Sequence, residues 1–459
     1  MGIQNAFANQ LKGKEYFGHP AGLYVLFLTE MWERFSYYGM RALLILYMTK
    51  YLLLEPGRAA DILGYTGFEA LLISIFGKMS VQQISSQIYG LYTGFVYFTP
   101  FFGGIIADRL LGQRRTVYLG GTLMAIGHFL MAFESFFLLA LLFIILGNGC
   151  FKPNISTQVG GLYKEGDPRS DGAYTIFYMG INLGAFLSPL VCGTLGQNVG
   201  WHYGFGAAGV GMLFGLFVYW LGEGLLPKEK SIASGAALVE SRPLTRKEWG
   251  AVGALAFLCF LNIMFWAVYE QQGNTLQLWA DERTDWNFAG LTIPSSWFQS
   301  MNPFMIFVFA PVLNMFWAWQ SKRGGQPSTV TKMGIGCVLA GSAYILMIMA
   351  ATLVPETEKG SVMWLVATVF MFTMGELYIS PIGLSLVSKV APPPILNMMM
   401  GMWFLSSFFG NYMTGFLGMF YETMSKDQYF LMLTAIGVIT GLIFFAAKRP
   451  LAKGLGKDV

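Results

Sequence analysis

Apolar stretches long enough to cross a membrane recur along the whole chain, and they constrain its fold more than any other feature. A helix needs about 20 consecutive apolar residues to span the hydrocarbon core of a bilayer. Inside lipid every backbone amide needs a partner within the protein, so an isolated span is a helix. The share of charged residues is 12%, against roughly 25% in a soluble domain. The sequence therefore predicts an all-α polytopic membrane protein.

The apolar stretches number twelve when they are counted by length. A polar linker at 227–246 divides them six and six, so we expect an N-terminal bundle over 1–226 and a C-terminal bundle over 247–459. The connection at 52–81 is long, and we expect it to continue as helix beyond the membrane. The predicted spans are 20–50, 82–107, 115–133, 136–161, 172–197, 203–226, 247–273, 298–320, 328–353, 361–389, 394–421 and 428–448.

Lys and Arg are distributed unevenly over the loops between these spans. If both termini are cytoplasmic, 20 of the 29 basic residues lie in inside loops and tails and 6 lie outside. Cytoplasmic loops carry such an excess, so the sequence predicts a multi-pass protein of the plasma (inner) membrane with both termini inside. An even number of spans in two halves is typical of transporters built from repeats, whose site lies at the midplane between the halves.

Seven ionisable residues lie inside the predicted spans, four of them on the first span. At 100° per residue these four share one helix face with Tyr37. A charge at the bilayer centre costs about 2.5–3.5 kcal/mol. Seven unpaired charges would therefore cost on the order of 20 kcal/mol, more than the net stability of a typical protein. They must pair or face water. The seven are Glu30, Glu33, Arg34, Arg41, Lys152, Glu270 and Glu376.

Two explanations of these charges remain open. Static ion pairs could fix helix packing, although small residues also do this and the chain has 56 glycines. Alternatively, a cavity lined by both signs of charge suits a zwitterion, with Arg41 and Lys152 on a carboxylate and Glu376 on an ammonium. Because Glu376 belongs to the other half of the chain, such a ligand would connect the two halves. The remaining glutamates could then titrate, which gives a physical route to proton coupling.

Composition excludes several other classes of function. The net charge of +4 gives no indication of nucleic acid as a partner. The four cysteines all fall within apolar segments, which favours a packing role over a disulfide or a metal site. The three histidines have no neighbours in the sequence that suggest a metal. We therefore expect membrane lipid and a small solute as partners, and no metal.

Motifs in both halves resemble those of one family, the proton-dependent oligopeptide transporters, a branch of the major facilitator superfamily. The first-span string Glu30-x-x-Glu33-Arg34-Phe35-x-Tyr37-Tyr38-Gly39 resembles the ExxERFxYYG motif of that family. A segment at 104–115 is similar to the superfamily's loop motif. Segments similar to the fourth-, fifth-, seventh- and tenth-helix motifs of the family follow in order at 147–154, 177–184, 265–271 and 375–381.

The resemblance implies a fold of twelve helices in two six-helix bundles and proton-coupled uptake of di- and tripeptides by alternating access. It implies no catalytic residue and no cofactor other than the coupling proton, and a protein that functions as a monomer. Glu270 would pair alternately with Lys152 and Arg41 as an extracellular gate closes and opens. The implied proton-coupling set is Glu30, Glu33, Arg34 and Glu270. The implied substrate-binding set is Arg41, Lys152, Glu376, Asn182, Asn302, Tyr37, Tyr38, Tyr97 and Trp403.

The chain departs from the family pattern at two places. Many bacterial members carry two extra helices between the halves, but the linker here is too short to hold them. Mammalian members have a histidine after Ile-Tyr on the second span, where this chain has Gly90. A histidine proton relay is therefore unavailable at that place, and we expect the glutamates to carry the protons.

Two alternatives to peptide uptake remain at this point. A transporter of the same build could carry an anion such as nitrate, as plant relatives do, although Glu376 is better suited to an amine. A polytopic membrane enzyme could use Glu and Arg chemistry, although the sequence shows no metal cluster, nucleophile–base pair or cofactor loop.

Overall fold

Long helices account for most of the computed structural model, which describes residues 2–164, 166–227, 242–323 and 325–455. Each of the twelve predicted spans overlaps one of them, although the helices Val81–Phe98 and Arg169–Ser188 end nine residues before the predicted limits. The predicted all-α class is confirmed. In chain order these helices are α1 Ala21–Tyr47, α2 Val81–Phe98, α3 Gln113–Leu130, α4 Phe137–Gly161, α5 Arg169–Ser188, α6 Trp201–Gly222, α7 Arg246–Tyr269, α8 Phe298–Lys322, α9 Thr329–Leu353, α10 Met363–Val390, α11 Leu396–Gly418 and α12 Lys426–Leu455.

Nine helices in the described part of the chain are long and apolar enough to cross a membrane. α1 is not among them, although it has 27 residues. It carries four ionisable residues, which lower its apolarity. Three of the four ionisable residues that lower the apolarity of α1 belong to the first-span motif.

The connection at 52–81 forms two short helices, Pro56–Ala60 and Tyr65–Phe76, and does not continue α1 as one helix. Proline at the start of the first short helix has no amide hydrogen to donate to a preceding turn. Gly64, at the start of the second, has a φ of 81°, a left-handed conformation that glycine adopts without strain. Both residues therefore interrupt the helix that the sequence suggested.

Short elements complete the chain. Single turns of π-helix extend or interrupt the long helices at Met48–Leu52, Ala107–Leu111 and Pro189–Gly193. Three pairs of two-residue strands lie in connections: Glu15–Tyr16 with His19–Pro20, Asn287–Phe288 with Leu291–Thr292, and Thr284–Asp285 with Gly360–Ser361. The remaining short helices are Gly2–Leu11, Pro100–Ile106, Thr194–Asn198, Thr275–Arg283 and Phe420–Thr423, with 3₁₀ turns at Glu134–Phe136, Glu223–Leu225, Glu270–Gly273, Ser295–Trp297 and Pro393–Ile395.

The described residues cluster into two compact units, one from 1–81 and 98–235 and the other from 82–97 and 236–459. In the first unit α1 packs against α5 and α6, while α3 packs against α4 and α6. In the second unit α9 packs against α10 and α12, α7 against α11 and α12, and α8 against α10. Most of the predicted linker, 227–246, lies outside the described residues, so the predicted boundaries of the two bundles stay a prediction.

Glycine allows α5 to approach α1 closely at the motif. A Cβ atom added at Gly184 would lie 2.9 Å from the backbone nitrogen of Phe35 and 3.0 Å from Cβ of Arg34. Helices that pack in lipid use small residues in this way, because backbones then approach closely. The contact fixes α5 against the turn of α1 that carries the charged residues.

Candidate functional site

Three of the four ionisable residues of α1 form a buried group. Glu30, Glu33 and Arg34 are 1%, 0% and 3% exposed. Nε of Arg34 lies 3.1 Å from Oε1 of Glu30, and Nη2 of Arg34 donates a hydrogen bond of 2.7 Å to Oε1 of Glu33. One guanidinium therefore serves two carboxylates. The contact with Glu30 follows from a spacing of four residues along the helix, whereas the contact with Glu33 joins sequence neighbours and does not follow from helical spacing.

Helix α4 adds a donor and a second positive charge to this group. Asn148 donates through Nδ2 to Oε1 of Glu33 at 3.1 Å. Lys152 lies one turn further along α4, and its ammonium is near enough to interact electrostatically with both Glu30 and Glu33. We call Glu30, Glu33, Arg34 and Lys152 the acid–base cluster. It contains two acids and two bases, so it is neutral when all four are ionised.

The two carboxylates of the acid–base cluster are not equally compensated. Glu33 accepts hydrogen bonds from Arg34 and from Asn148. Oε2 of Glu30 is buried and has no hydrogen-bond partner among the described residues. A buried polar oxygen without a partner costs about 1–3 kcal/mol and calls for an explanation. A proton on this oxygen would remove the charge that the site leaves uncompensated.

Each of the two arginines of α1 lies beside a tyrosine ring of the same helix. Cζ of Arg34 lies 5.4 Å from the ring centroid of Tyr37, and Cζ of Arg41 lies 5.9 Å from that of Tyr38. The two tyrosine rings meet edge to face at 5.1 Å. Cation–π contacts at this distance hold a guanidinium without neutralising it.

Asn182, on α5, uses its Nδ2 to donate to the backbone oxygen of Tyr178 at 3.0 Å.

The second unit contains a hydrogen-bonded group centred on Glu376 of α10. The hydroxyl of Tyr269 donates to Oε2 of Glu376 at 2.5 Å. Nδ2 of Asn302 donates to the same oxygen at 3.0 Å and also contacts Oγ1 of Thr373 at 3.0 Å. We call Tyr269, Asn302, Thr373 and Glu376 the Glu376 network. It joins α7, α8 and α10, and among the described residues the hydrogen-bond partners of Glu376 are neutral.

Helix α7 is interrupted at Glu270. It ends at Tyr269, a 3₁₀ turn follows at Glu270–Gly273, and a new helix begins at Thr275. The side-chain amides of Gln271 and Asn274 donate to the backbone oxygen of Thr414 on α11, at 3.0 Å and 3.3 Å. Broken helices at membrane depth leave backbone groups to be satisfied, and they are typical of transporter sites. Glu270 therefore lies at a point where the backbone is already irregular.

Glu270 interacts electrostatically with the Glu376 network. Its charge acts on both Tyr269 and Glu376. The predicted partners of Glu270, namely Lys152 and Arg41, belong to the other unit. Their alternating pairing with Glu270 stays a prediction.

The remaining predicted residues lie on α2 and α11. Tyr97 is near the end of α2. Trp403 on α11 is 7% exposed, and its backbone oxygen accepts a hydrogen bond of 2.6 Å from Ser406. At Gly90 an added Cβ would lie 2.7 Å from Cα of Gly415 on α11. The place where mammalian relatives have histidine is thus filled by a close backbone contact.

Four site residues were missed by the sequence analysis: Asn148, Tyr269, Thr373 and Gln271. A signal existed for three of them. Asn148 precedes Lys152 by one helical turn in the fourth-helix motif, and Tyr269 and Gln271 flank Glu270 in the seventh-helix motif. Thr373 had no distinctive signal, because a threonine on an apolar helix is usually bonded to its own backbone.

Comparison with known proteins decides which family the chain represents. A family model described as PTR2, POT family, matches residues 114–242 and 245–438. The chain belongs to the POT family. POT relatives match it over nearly their full length, including the di-/tripeptide transporter of Lactococcus lactis subsp. cremoris, which is 33% identical over 96% of this chain and 98% of that protein. The uncharacterized transporter YclF of Bacillus subtilis is 34% identical over 97% of each.

A solved POT structure also matches. The crystal structure of the peptide transporter POT in complex with sulfate has a TM-score of 0.83 at 33% identity and covers 98% of this chain and 99% of its own. This similarity confirms the major facilitator superfamily fold. Membership of the POT family also excludes the membrane-enzyme alternative, because these relatives are transporters. The chain is an integral membrane protein.

Proposed function

We propose that this chain takes up di- and tripeptides together with protons by alternating access. The observation that carries the proposal is the set of hydrogen-bond partners of Glu376. Glu376 is an ionisable carboxylate inside a transporter, and among the described residues it is held by two neutral donors and no cation. A carboxylate presented in this way suits an ammonium group, which every peptide with a free amino end supplies. Relatives over the full chain are named di-/tripeptide transporters.

The peptide ends have different binding groups in this proposal. Arg41, whose guanidinium lies 5.9 Å from the ring centroid of Tyr38, and Lys152 bind the carboxylate. Glu376 and Asn302 bind the amino end together with Asn182. The side chains of the peptide contact aromatic and apolar residues of the site, so they are not selected by charge. The wall residues are Tyr37, Tyr38, Tyr97 and Trp403.

Proton coupling follows from the charge balance of the acid–base cluster. When a peptide carboxylate engages Lys152, that ammonium compensates Glu30 and Glu33 less. The cluster with its ligand then carries one excess negative charge, and a proton restores neutrality in a low-dielectric site. Within the described part of the chain, Oε2 of Glu30 is a buried oxygen of the cluster without a hydrogen-bond partner, so we assign the proton to it. Arg34 holds the cluster together, and we assign Glu270 a second part in proton coupling.

Replacement of Lys152 by alanine tests this coupling. In proteoliposomes the Lys152→Ala variant should lose uptake driven by a proton gradient and keep some exchange of labelled peptide, since exchange needs no net proton movement. Lys332→Ala is a matched control, because Lys332 is a helix lysine that contacts Gln326 and Trp317 outside the site. Gradient-driven uptake that is undiminished in Lys152→Ala and equal to that of the control would contradict the assignment.

The nitrate alternative makes a different prediction for competition. An anion carrier would have to bring its ligand near Glu376, whose negative charge repels it. Dipeptides should therefore displace a labelled dipeptide, and nitrate at the same concentration should not. Uptake of labelled nitrate that dipeptides do not reduce, together with no uptake of a labelled dipeptide, would overturn the proposed substrate class.

Location and assembly complete the proposal. We place the chain in the plasma (inner) membrane with both termini cytoplasmic, because this orientation puts the excess of Lys and Arg inside. We also propose that it works as a monomer, with protons as the coupling ion and no other cofactor. Labelling of single cysteines introduced at loop ends reports the orientation.

A further inference from the structure

Tyr269 connects the Glu376 network to the broken helix that carries Glu270. It is the last residue of α7, and Glu270 is the next residue in the chain. Its side chain is buried, with 7% exposed. Its hydroxyl donates to Oε2 of Glu376, the oxygen that also accepts from Asn302. Neither the motifs nor the family resemblance gave this tyrosine a role.

The ring of Tyr269 is held firmly by its neighbours. It stacks on Phe265 with ring centroids 5.5 Å apart and planes inclined by 20°. It meets Trp266 edge to face at 5.5 Å, and Phe372 of α10 edge to face at 5.9 Å. Aromatic contacts of this geometry fix a ring beyond what burial alone achieves. The hydroxyl is therefore aimed at Glu376 by packing on three sides.

Both donors of the Glu376 network act on one oxygen. Oε2 accepts from Tyr269 and Asn302, and among the described residues Oε1 has no hydrogen-bond partner. A carboxylate has lone pairs on both oxygens. Donors confined to Oε2 therefore fix the plane of the carboxylate and leave Oε1 for a ligand.

The hydroxyl also offsets a repulsion. The charge of Glu270 acts on Glu376, and two carboxylates near each other are unfavourable unless donors or cations compensate them. A hydrogen bond to an ionised group is roughly twice as strong as one between neutral groups. Tyr269 thus helps to keep Glu376 in the place and charge state that an ammonium requires.

We infer that Tyr269 is a positioning residue for the amino end of the substrate, acting through Glu376. This inference rests on the proposed function, in which Glu376 binds the peptide ammonium. Tyr269 itself need not touch the peptide. Its hydroxyl determines how well the transporter distinguishes a free amine from a blocked one.

Uptake kinetics of Tyr269→Phe test the inference with two substrates, a neutral dipeptide and its N-acetylated form. The KM of the free dipeptide should rise about tenfold, the loss expected for one hydrogen bond to a charged group. The maximal rate should change less than about twofold, because the ring and its packing remain. The N-acetylated form lacks the ammonium, so its KM should not change, and the preference for the free amine should fall about tenfold.

Tyr344→Phe is the matched control. Tyr344 is also a buried tyrosine of this unit, and its hydroxyl donates to the backbone oxygen of Val268, the residue before Tyr269, at 2.8 Å. Its removal deletes a similar hydrogen bond without contact to Glu376. A purely structural effect would appear in both variants and with both substrates equally. If Tyr269→Phe does not fold, Tyr269→Leu and Tyr269→Met also remove the hydroxyl, and their KM values for the same two substrates are compared in the same way.

The outcomes separate the inference from the proposed function. Wild-type protein that takes up no dipeptide would overturn the proposed function, and the role of Tyr269 with it. Wild-type uptake that prefers the free amine, with the preference retained in Tyr269→Phe, would overturn the role of Tyr269 alone. Loss of the preference in Tyr269→Phe, with the preference kept in Tyr344→Phe, supports it.

Discussion

At the scale of single residues, the burial of charge decides what the molecule can do. Charges in lipid are expensive, and the chain compensates Glu30, Glu33 and Glu376 with donors from neighbouring side chains. Glu33 has Arg34 and Asn148, and Glu376 has Tyr269 and Asn302. Glu30 and Glu376 each keep one oxygen without a hydrogen-bond partner among the described residues, and that of Glu30 is fully buried.

The unequal partners of Glu30 and Glu33 predict unequal effects on stability. Glu33→Gln replaces an acceptor by a donor in front of Arg34 and Asn148, so it leaves buried donors unpaired at a cost of about 1–3 kcal/mol each. Glu30→Gln weakens the ion pair with Arg34 and the attraction to Lys152, but it unpairs no second hydrogen-bond donor among the described residues. Thermal unfolding in detergent should show a larger fall in Tm for Glu33→Gln than for Glu30→Gln. Equal falls would contradict the difference between the two carboxylates.

At the scale of helices, close approach depends on glycine. Gly184 of α5 contacts the backbone of α1 beside Arg34. The distance between α5 and the acid–base cluster therefore depends on the absence of a Cβ atom at this position. The interruption of α7 is the other feature at this scale. Gln271 and Asn274 satisfy a carbonyl of α11 and so hold the broken helix in place.

Gly184→Ala is therefore expected to destabilise the protein. Its Cβ would lie within 3 Å of the α1 backbone, and such overpacking costs typically about 1–3 kcal/mol. Gly253→Ala on α7 is the control, because an added Cβ there meets nothing within 4 Å. In a helix this change should be neutral or slightly stabilising. Unfolding of both purified variants measures the difference, and a Gly184→Ala protein as stable as the control would refute the packing argument.

At the scale of the whole molecule, the chain converts a proton gradient into solute accumulation. A proton that crosses a potential of about 100 mV yields about 2.3 kcal/mol. This energy supports accumulation of a neutral dipeptide of roughly fiftyfold if one proton accompanies each molecule. In the proposed mechanism one ligand carboxylate at the acid–base cluster calls for one proton, and this would give the ratio of one proton to one peptide.

Proteoliposomes with an imposed potential measure this accumulation directly. The internal concentration of a neutral dipeptide should rise well above the external one, to a limit of about fiftyfold at about 100 mV. A protonophore should bring the two concentrations to equality without stopping exchange. Accumulation that persists with the protonophore present would show that protons are not the coupling ion.

The sequence by itself determined the membrane class, the positions of the helices and the face of α1 that carries charge. These properties depend on local composition and helical periodicity, which act within a few residues of the chain. Tertiary structure alone decided that Asn148 bonds Glu33, that Asn302 and Tyr269 meet on one oxygen of Glu376, and that Gly90 contacts α11. Each of these contacts joins residues far apart in the chain. Their geometry follows from how helices pack, which no pattern along a single helix specifies.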